Sequence, residues 1–129
     1  NGELIDLSII PGPENRSMDN FYLKDFSEGW IAINRKDVGF GLAWDPALFK
    51  YIWVWQALGG GIGYPWYGRT YNIGIEPWSS YPCAGLESAC ANGSAVSLKA
   101  GEKRNAWLTA VAFTGRDEVK GILRSGEVL

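Results

Sequence analysis

In the run Asn105-Ala106-Trp107-Leu108-Thr109-Ala110-Val111-Ala112-Phe113, an extended backbone sends Trp107, Thr109, Val111 and Phe113 to one face and Leu108, Ala110 and Ala112 to the other. Both sets are largely apolar, which predicts a strand covered on both faces, and a lone small sheet offers no such cover. Working outward, short apolar runs bounded by turn residues recur at residues 3–10, 29–34, 38–44, 51–56, 70–76 and 95–99. The tail from 118 to 129 offers one further strand. A single short helix is predicted over 84–91, closing at Asn92-Gly93. Seventeen glycines, six prolines and seven tryptophans also disfavour long helices, because Gly and Pro break them while aromatics fit a pleated surface. The expected fold is all-β, an antiparallel β-sandwich.

A chain of 129 residues is about one domain's worth, so a single domain over 1–129 is expected, with Pro11-Gly12-Pro13-Glu14-Asn15 the best linker. The composition, 47% hydrophobic and 20% charged with a net charge of -2, is not that of a disordered chain and offers nothing to attract a polyanion. No nucleic acid partner is therefore expected. Apolar runs fall far short of the roughly 20 residues a membrane span needs, and no signal-peptide pattern opens the chain, so no membrane association is expected. The acidic pI of about 5.1 leans toward the cytoplasm. Asn1 in place of methionine fits a chain that begins inside a longer product.

The chain has no histidine, which removes the default general base, the Ser-His-Asp triad and the commonest metal ligand together. No metal or cofactor is expected. Cys83 and Cys90 have a spacing that neither zinc nor a CxxC redox motif uses, and read as two free thiols with a bridge as the alternative. Gly59-Gly60-Gly61-Ile62-Gly63-Tyr64-Pro65 lacks the Lys-Ser/Thr of a phosphate loop, which leaves a mobile connection or a close approach of backbones.

Chemistry concentrates in Tyr71-Asn72-Ile73-Gly74-Ile75-Glu76-Pro77-Trp78. Glu76 ends an apolar strand just before a proline that stops the ladder. A half-desolvated carboxylate there would have its pKa raised toward the range useful for proton transfer; the alternative is a strand-end glutamate in a salt bridge. Trp30, Trp44, Trp53 and Trp107 sit at strand positions and read as core. Trp66 and Trp78, with Tyr64 and Tyr67, lie in or beside loops, where aromatic faces can stack on sugar C–H faces. Arg16 and Arg69 either fork onto vicinal hydroxyls or a sugar phosphate or stay on the surface.

Gly74-Ile75-Glu76-Pro77-Trp78 is followed by Gly85-Leu86, Gly93 and Leu98-Lys99-Ala100-Gly101-Glu102, and preceded by Glu28-Gly29-Trp30, Leu42-Ala43-Trp44-Asp45 and Trp53-Val54-Trp55. In order and content this series resembles the C-terminal half of an aldose 1-epimerase, in the galactose mutarotase-like superfamily. The resemblance covers about Asp19 to Phe113. It implies part of a large antiparallel β-supersandwich with a carbohydrate cleft, and a reaction that interconverts the anomers of an aldose through a base at the anomeric hydroxyl and an acid at the ring oxygen. It assigns the base to Glu76 and offers Asp19, in Met18-Asp19-Asn20, as the nearest match to an aspartate that holds sugar hydroxyls, although Asp-Asn is equally turn chemistry. The family's acid is a histidine upstream of this region, and this chain has none. The resemblance thus implies a carbohydrate-binding, aldose 1-epimerase-like protein with Glu76 as base and Asp19, Arg69, Trp66 and Trp78 around a monosaccharide or sugar derivative. An isolated chain would be inactive unless an N-terminal half or another group supplies the acid. The alternative is a non-catalytic sugar-binding or structural β-sandwich that assembles as a homo-oligomer, because an open sheet face needs cover.

Overall fold

The computed structural model describes residues 4–129. The chain is all-β, with two antiparallel three-stranded sheets. Its elements are a 3-10 turn at Pro13–Asn15, β1 Ser17–Lys24, β2 Trp30–Asn34, β3 Val38–Trp44, β4 Tyr51–Leu58, β5 Tyr71–Trp78, helix α1 Gly85–Ala91 and β6 Leu108–Thr114. The sheet orders are β1-β4-β5 and β2-β3-β6. Two compact units are present, the first formed by residues 4–21 and Trp53–Glu76, the second by Tyr22–Ile52 and Pro77–Leu129.

In the first unit β4 is the central strand. Val54, Gln56, Ala57 and Leu58 are buried, while Trp53 and Trp55 on the alternate positions remain half-buried. The glycine run after β4 is a backbone-approach site. Gly60 N–H donates to the Ser17 carbonyl (3.1 Å), and a Cβ on Gly60 would lie 2.3 Å from Ser17 C, so no larger residue fits without moving the main chain. The loop is closed by Gly59 N–H to the Thr70 carbonyl (2.8 Å) and Gly68 N–H to the Gly61 carbonyl (2.6 Å).

In the second unit β3 is central, pairing β2 in the register Ile31↔Leu42 and Ile33↔Phe40, and β6 in the register Phe40↔Ala112, Leu42↔Ala110 and Trp44↔Leu108. Opposed residues share a face. One face therefore carries Phe40, Leu42, Trp44, Leu108, Ala110 and Ala112, and the other carries Gly39, Gly41, Thr109, Val111 and Phe113. The bare glycines form a trough that neighbouring side chains fill: a Cβ on Gly39 would lie 2.1 Å from the Phe113 ring, and one on Gly41 2.0 Å from Ile122 Cδ1. Ile122 belongs to a tight turn in which Ile122 bridges Val128 and Leu129 N–H donates to the Gly121 carbonyl (2.9 Å). Thr109 Oγ1 donates to the Arg124 carbonyl (2.8 Å) and the Arg124 guanidinium lies 5.1 Å from the Trp107 ring, so this segment packs along the same face.

Burial of β6 on both faces does not occur. Thr109, Val111 and Phe113 are half-buried under the 121–128 segment, whereas Leu108, Ala110 and Ala112 are exposed, because β6 is an edge strand with cover on one side. Three other expectations are also corrected. Residues 4–10 contain no strand, although Leu4, Ile5, Leu7 and Ile9 are apolar; Glu3 lies outside the described residues. Residues 95–99 are not a strand and lead into a turn. Pro77 does not stop the ladder, since β5 continues to Trp78. Of the four tryptophans expected in the core, Trp44 is fully buried while Trp30, Trp53 and Trp107 are half-buried. Cys83 and Cys90 are free thiols, both exposed.

Candidate functional site

Glu76 lies on β5 in the first unit, half-buried. Alternate strand residues share a side, so Gly74 and Glu76 face the same way. A Cβ on Gly74 would stand 3.1 Å from Glu76 Oε1 and 3.6 Å from Trp55 Cε3. The bare backbone at Gly74 is thus flanked by a carboxylate and by an indole from the adjacent strand β4. The Trp55 ring in turn lies 5.1 Å from Trp66, tilted by 51°. Trp66 is positioned by its loop, its N–H donating to the Gly63 carbonyl (2.9 Å) and its carbonyl accepting from Arg69 N–H (3.0 Å). Glu76 and Trp55 thus flank Gly74, and Trp66 adjoins Trp55 from the loop, all three half-buried. A carboxylate next to indole faces can accept hydrogen bonds from sugar hydroxyls while the rings take the C–H faces.

The other predicted site residues are placed as follows. Asp19 is exposed on β1, and its Oδ1 accepts the Asn20 N–H (2.8 Å), the local turn-like chemistry of an Asp-Asn pair within a strand. Arg69 is exposed in the loop before β5, and Arg16 is exposed with a left-handed backbone (φ 47°) where it caps the 3-10 turn. Trp78 ends β5 in the second unit and is 42% exposed. Tyr64 and Tyr67 stand edge to face with ring centroids 6.1 Å apart, both exposed. Trp55 is the residue that sequence reasoning passed over as a motif position; the alternation Trp53, Val54, Trp55, Gln56 was its signal, since it puts both indoles on the face opposite the buried Val54 and Gln56.

Two motif carboxylates hold turns. Asp45 Oδ1 accepts Ala47 N–H (3.0 Å) while its carbonyl accepts from Phe49 N–H (3.0 Å), which shapes the connection to β4. In Leu98-Lys99-Ala100-Gly101-Glu102, Glu102 N–H donates to the Lys99 carbonyl (2.9 Å) and Gly101 takes φ 78°, as the third position of a type II turn requires. The Glu102 carboxylate accepts Lys99 N–H (2.9 Å) and Arg104 Nε–H (3.1 Å), and these bonds, the backbone one first, hold its pKa below the ordinary glutamate value. A lowered pKa favours the folded turn at pH above the ordinary glutamate range, and that support is lost as pH falls through the lowered value. Carbon-13 NMR of the Glu102 carboxyl is expected to give a midpoint below that of a free glutamate, with the Lys99 amide proton shifting in parallel; a midpoint at or above the free value contradicts the clasp.

Among the described residues no group of three or more His, Cys, Asp or Glu is placed to hold a metal ion, and no helix is long and apolar enough to cross a membrane. No protein-family model, no curated protein and no solved structure matches the chain.

Proposed function

We propose that this protein binds an aldose through Glu76, Trp55 and Trp66, as a carbohydrate-binding, aldose 1-epimerase-like chain in which Glu76 has the place of the general base. The observation that carries the reading is the juxtaposition at Gly74, where a carboxylate and an indole are the nearest groups to half-buried, side-chain-free backbone. In mutarotation the base removes the anomeric hydroxyl proton while an acid protonates the ring oxygen, so that the ring opens, the aldehyde carbon rotates and the ring recloses. Glu76 supplies the first function. With no histidine in the chain, the second falls to another group or a partner segment, and the chain alone is proposed to bind without turning over.

Proton NMR with freshly dissolved α-glucose and α-galactose separates these roles. Saturation transfer to a sugar without faster anomer exchange is the expected result. Glu76→Gln should weaken binding about tenfold, the equivalent of one good charge-assisted hydrogen bond, with a melting temperature within a few degrees of the parent. Absence of saturation transfer to both sugars, or a collapse in stability on Glu76→Gln, overturns the reading.

A second reading, self-association, is favoured by the face of the β2-β3-β6 sheet on which Val38, Phe40 and Leu108 are 50%, 45% and 48% exposed beside exposed Ala110 and Ala112. These exposed apolar residues border the buried Leu42 and Trp44 on the same face, and an exposed apolar patch of this kind is an association site. Light scattering at micromolar concentration is expected to give a dimer, and Phe40→Asp a monomer; a monomeric parent chain removes this reading.

A further inference from the structure

The second unit holds a cleft of about 370 Å³ whose lining includes Lys24, Asp25, Lys50, Tyr51, Tyr81 and Asn92. Its aromatic wall is a stacked pair, Tyr51 and Tyr81, with ring centroids 4.8 Å apart and planes 29° from parallel. The main chain of Tyr81 is held in place. The Tyr81 carbonyl accepts from Asn92 Nδ2 (2.8 Å) and Ser94 Oγ (2.9 Å), Tyr81 N–H donates to Ser94 Oγ (3.2 Å), and Ser94 is buried. Tyr22 meets the Tyr81 ring edge-on at 5.9 Å, and its own hydroxyl oxygen accepts Cys83 N–H (3.1 Å). With its main chain so held, Tyr81 needs little reordering when a ligand arrives, which is the condition for retaining its binding free energy.

The charges at the cleft have one sign in excess. Lys24 Nζ lies 3.4 Å from Asp25 Oδ2, both side chains largely exposed. Lys50 adds a second ammonium, and among the described residues no carboxylate lies within 4.0 Å of it. Two lysines against one aspartate make the cleft cationic on a chain whose net charge is -2. Such local excess attracts an anion, and clefts focus the field. The volume lies near the lower end of small-molecule pockets, roughly 300–1,000 Å³, which suits a compact ligand better than a peptide.

We propose that this cleft binds an anionic pyranose, with the sugar's C–H groups against the outer side of the Tyr51–Tyr81 stack, its carboxylate or phosphate at Lys50 and Lys24, and hydroxyl protons donated to Asp25. An aromatic platform, a displaced cation and a neighbouring acceptor are the three parts that such a ligand needs: an apolar ring face, a negative substituent and hydroxyl donors. The proposal does not rest on the Glu76 reading, since every residue it uses lies in the second unit.

The test is an amide NMR titration of the 129-residue chain with glucuronate, glucose 6-phosphate, glucose and inorganic phosphate. At least one anionic sugar is expected to bind at least about tenfold more tightly than glucose, with shifts at residues 24–26, 50–51 and 81. Whichever of the two binds more tightly identifies the anionic group as carboxylate or phosphate. Lys50→Gln should remove most of that preference while leaving glucose unaffected, and added salt should reduce it because the ammoniums are exposed. Glu76→Gln should leave unchanged the anionic sugar's affinity read from the shifts at residues 24–26, 50–51 and 81, whatever it does to glucose binding elsewhere, which separates this site from the one in the first unit. Equal affinity for glucose and both anionic sugars, an unchanged preference in both Lys50→Gln and Lys24→Gln, or inorganic phosphate binding as tightly as the sugar phosphate would each overturn the proposal.

Discussion

Trp44→Ala is expected to destabilise the second unit by about 3–5 kcal/mol, the range for deleting a large buried aromatic side chain. Trp44 is the largest fully buried side chain, at 0% exposure. Its ring meets Phe26 edge-on at 5.3 Å, and its Nε1–H donates to the Phe49 carbonyl (3.0 Å), so it joins the end of β3 to the segment after Asp45. Truncation leaves a cavity and strips that carbonyl of its donor. Urea unfolding followed by near-ultraviolet circular dichroism reads the effect, with Trp44→Phe as a partial rescue that keeps an aromatic ring but loses the hydrogen bond, about 1–3 kcal/mol, and part of the indole's buried volume. A loss below about 1 kcal/mol for Trp44→Ala would mean that this packing adds little to stability.

Gly115→Ala is the second large effect. A Cβ there would stand 1.9 Å from the Arg35 carbonyl oxygen, 2.7 Å from Lys36 C and 2.8 Å from Asp37 N, all backbone atoms at the tip of the β2–β3 hairpin. Overpacking costs about 1–3 kcal/mol where side chains can yield, and here the main chain itself must move, so the upper end or beyond is expected. The site is also clasped: Asn34 Nδ2 donates to the Arg116 carbonyl and Arg116 N–H donates to Asn34 Oδ1 (3.3 Å). Gly63→Ala is the control, with nothing within 4 Å of its added Cβ, and is expected to be neutral or slightly stabilising. Equal effects at the two glycines would refute the close approach.

β3 and α1 are legible in the sequence because local signals agree with the fold: Val38-Gly39-Phe40-Gly41-Leu42-Ala43-Trp44 alternates along its length, and Asn92-Gly93 stops the helix. β1 is not, because Met18, Asp19 and Asn20 are exposed on a strand at the end of the sheet order, where polar residues are tolerated and Asp-Asn looks like a turn. The opposite error falls at Leu4, Ile5, Leu7 and Ile9, whose apolar pattern suits a strand although no ladder receives it and they are 52–99% exposed. Pattern reports what a segment could pair with; tertiary context decides whether a partner exists. For the candidate site, Glu76 and Trp66 were recoverable from position before a proline and beside a glycine loop. Trp55 required knowing that β4 and β5 are neighbours, and the cleft at Lys50 required knowing that the chain after β5 brings Tyr81 onto Tyr51, neither of which a linear pattern contains.

The glycine trough of β3 sets a timetable for synthesis. β2 lies immediately upstream and can pair at once, whereas the β6 register runs from Val38↔Thr114 to Trp44↔Leu108, more than sixty residues further along. At ~5–20 residues per second that edge waits on the order of 3–13 s before its partner leaves the ribosome. Ile122, which fills the trough at Gly41, emerges later still. During this interval the nascent hairpin presents an unpaired edge and Phe40 together, a combination open to pairing with a neighbouring nascent chain until β6 arrives.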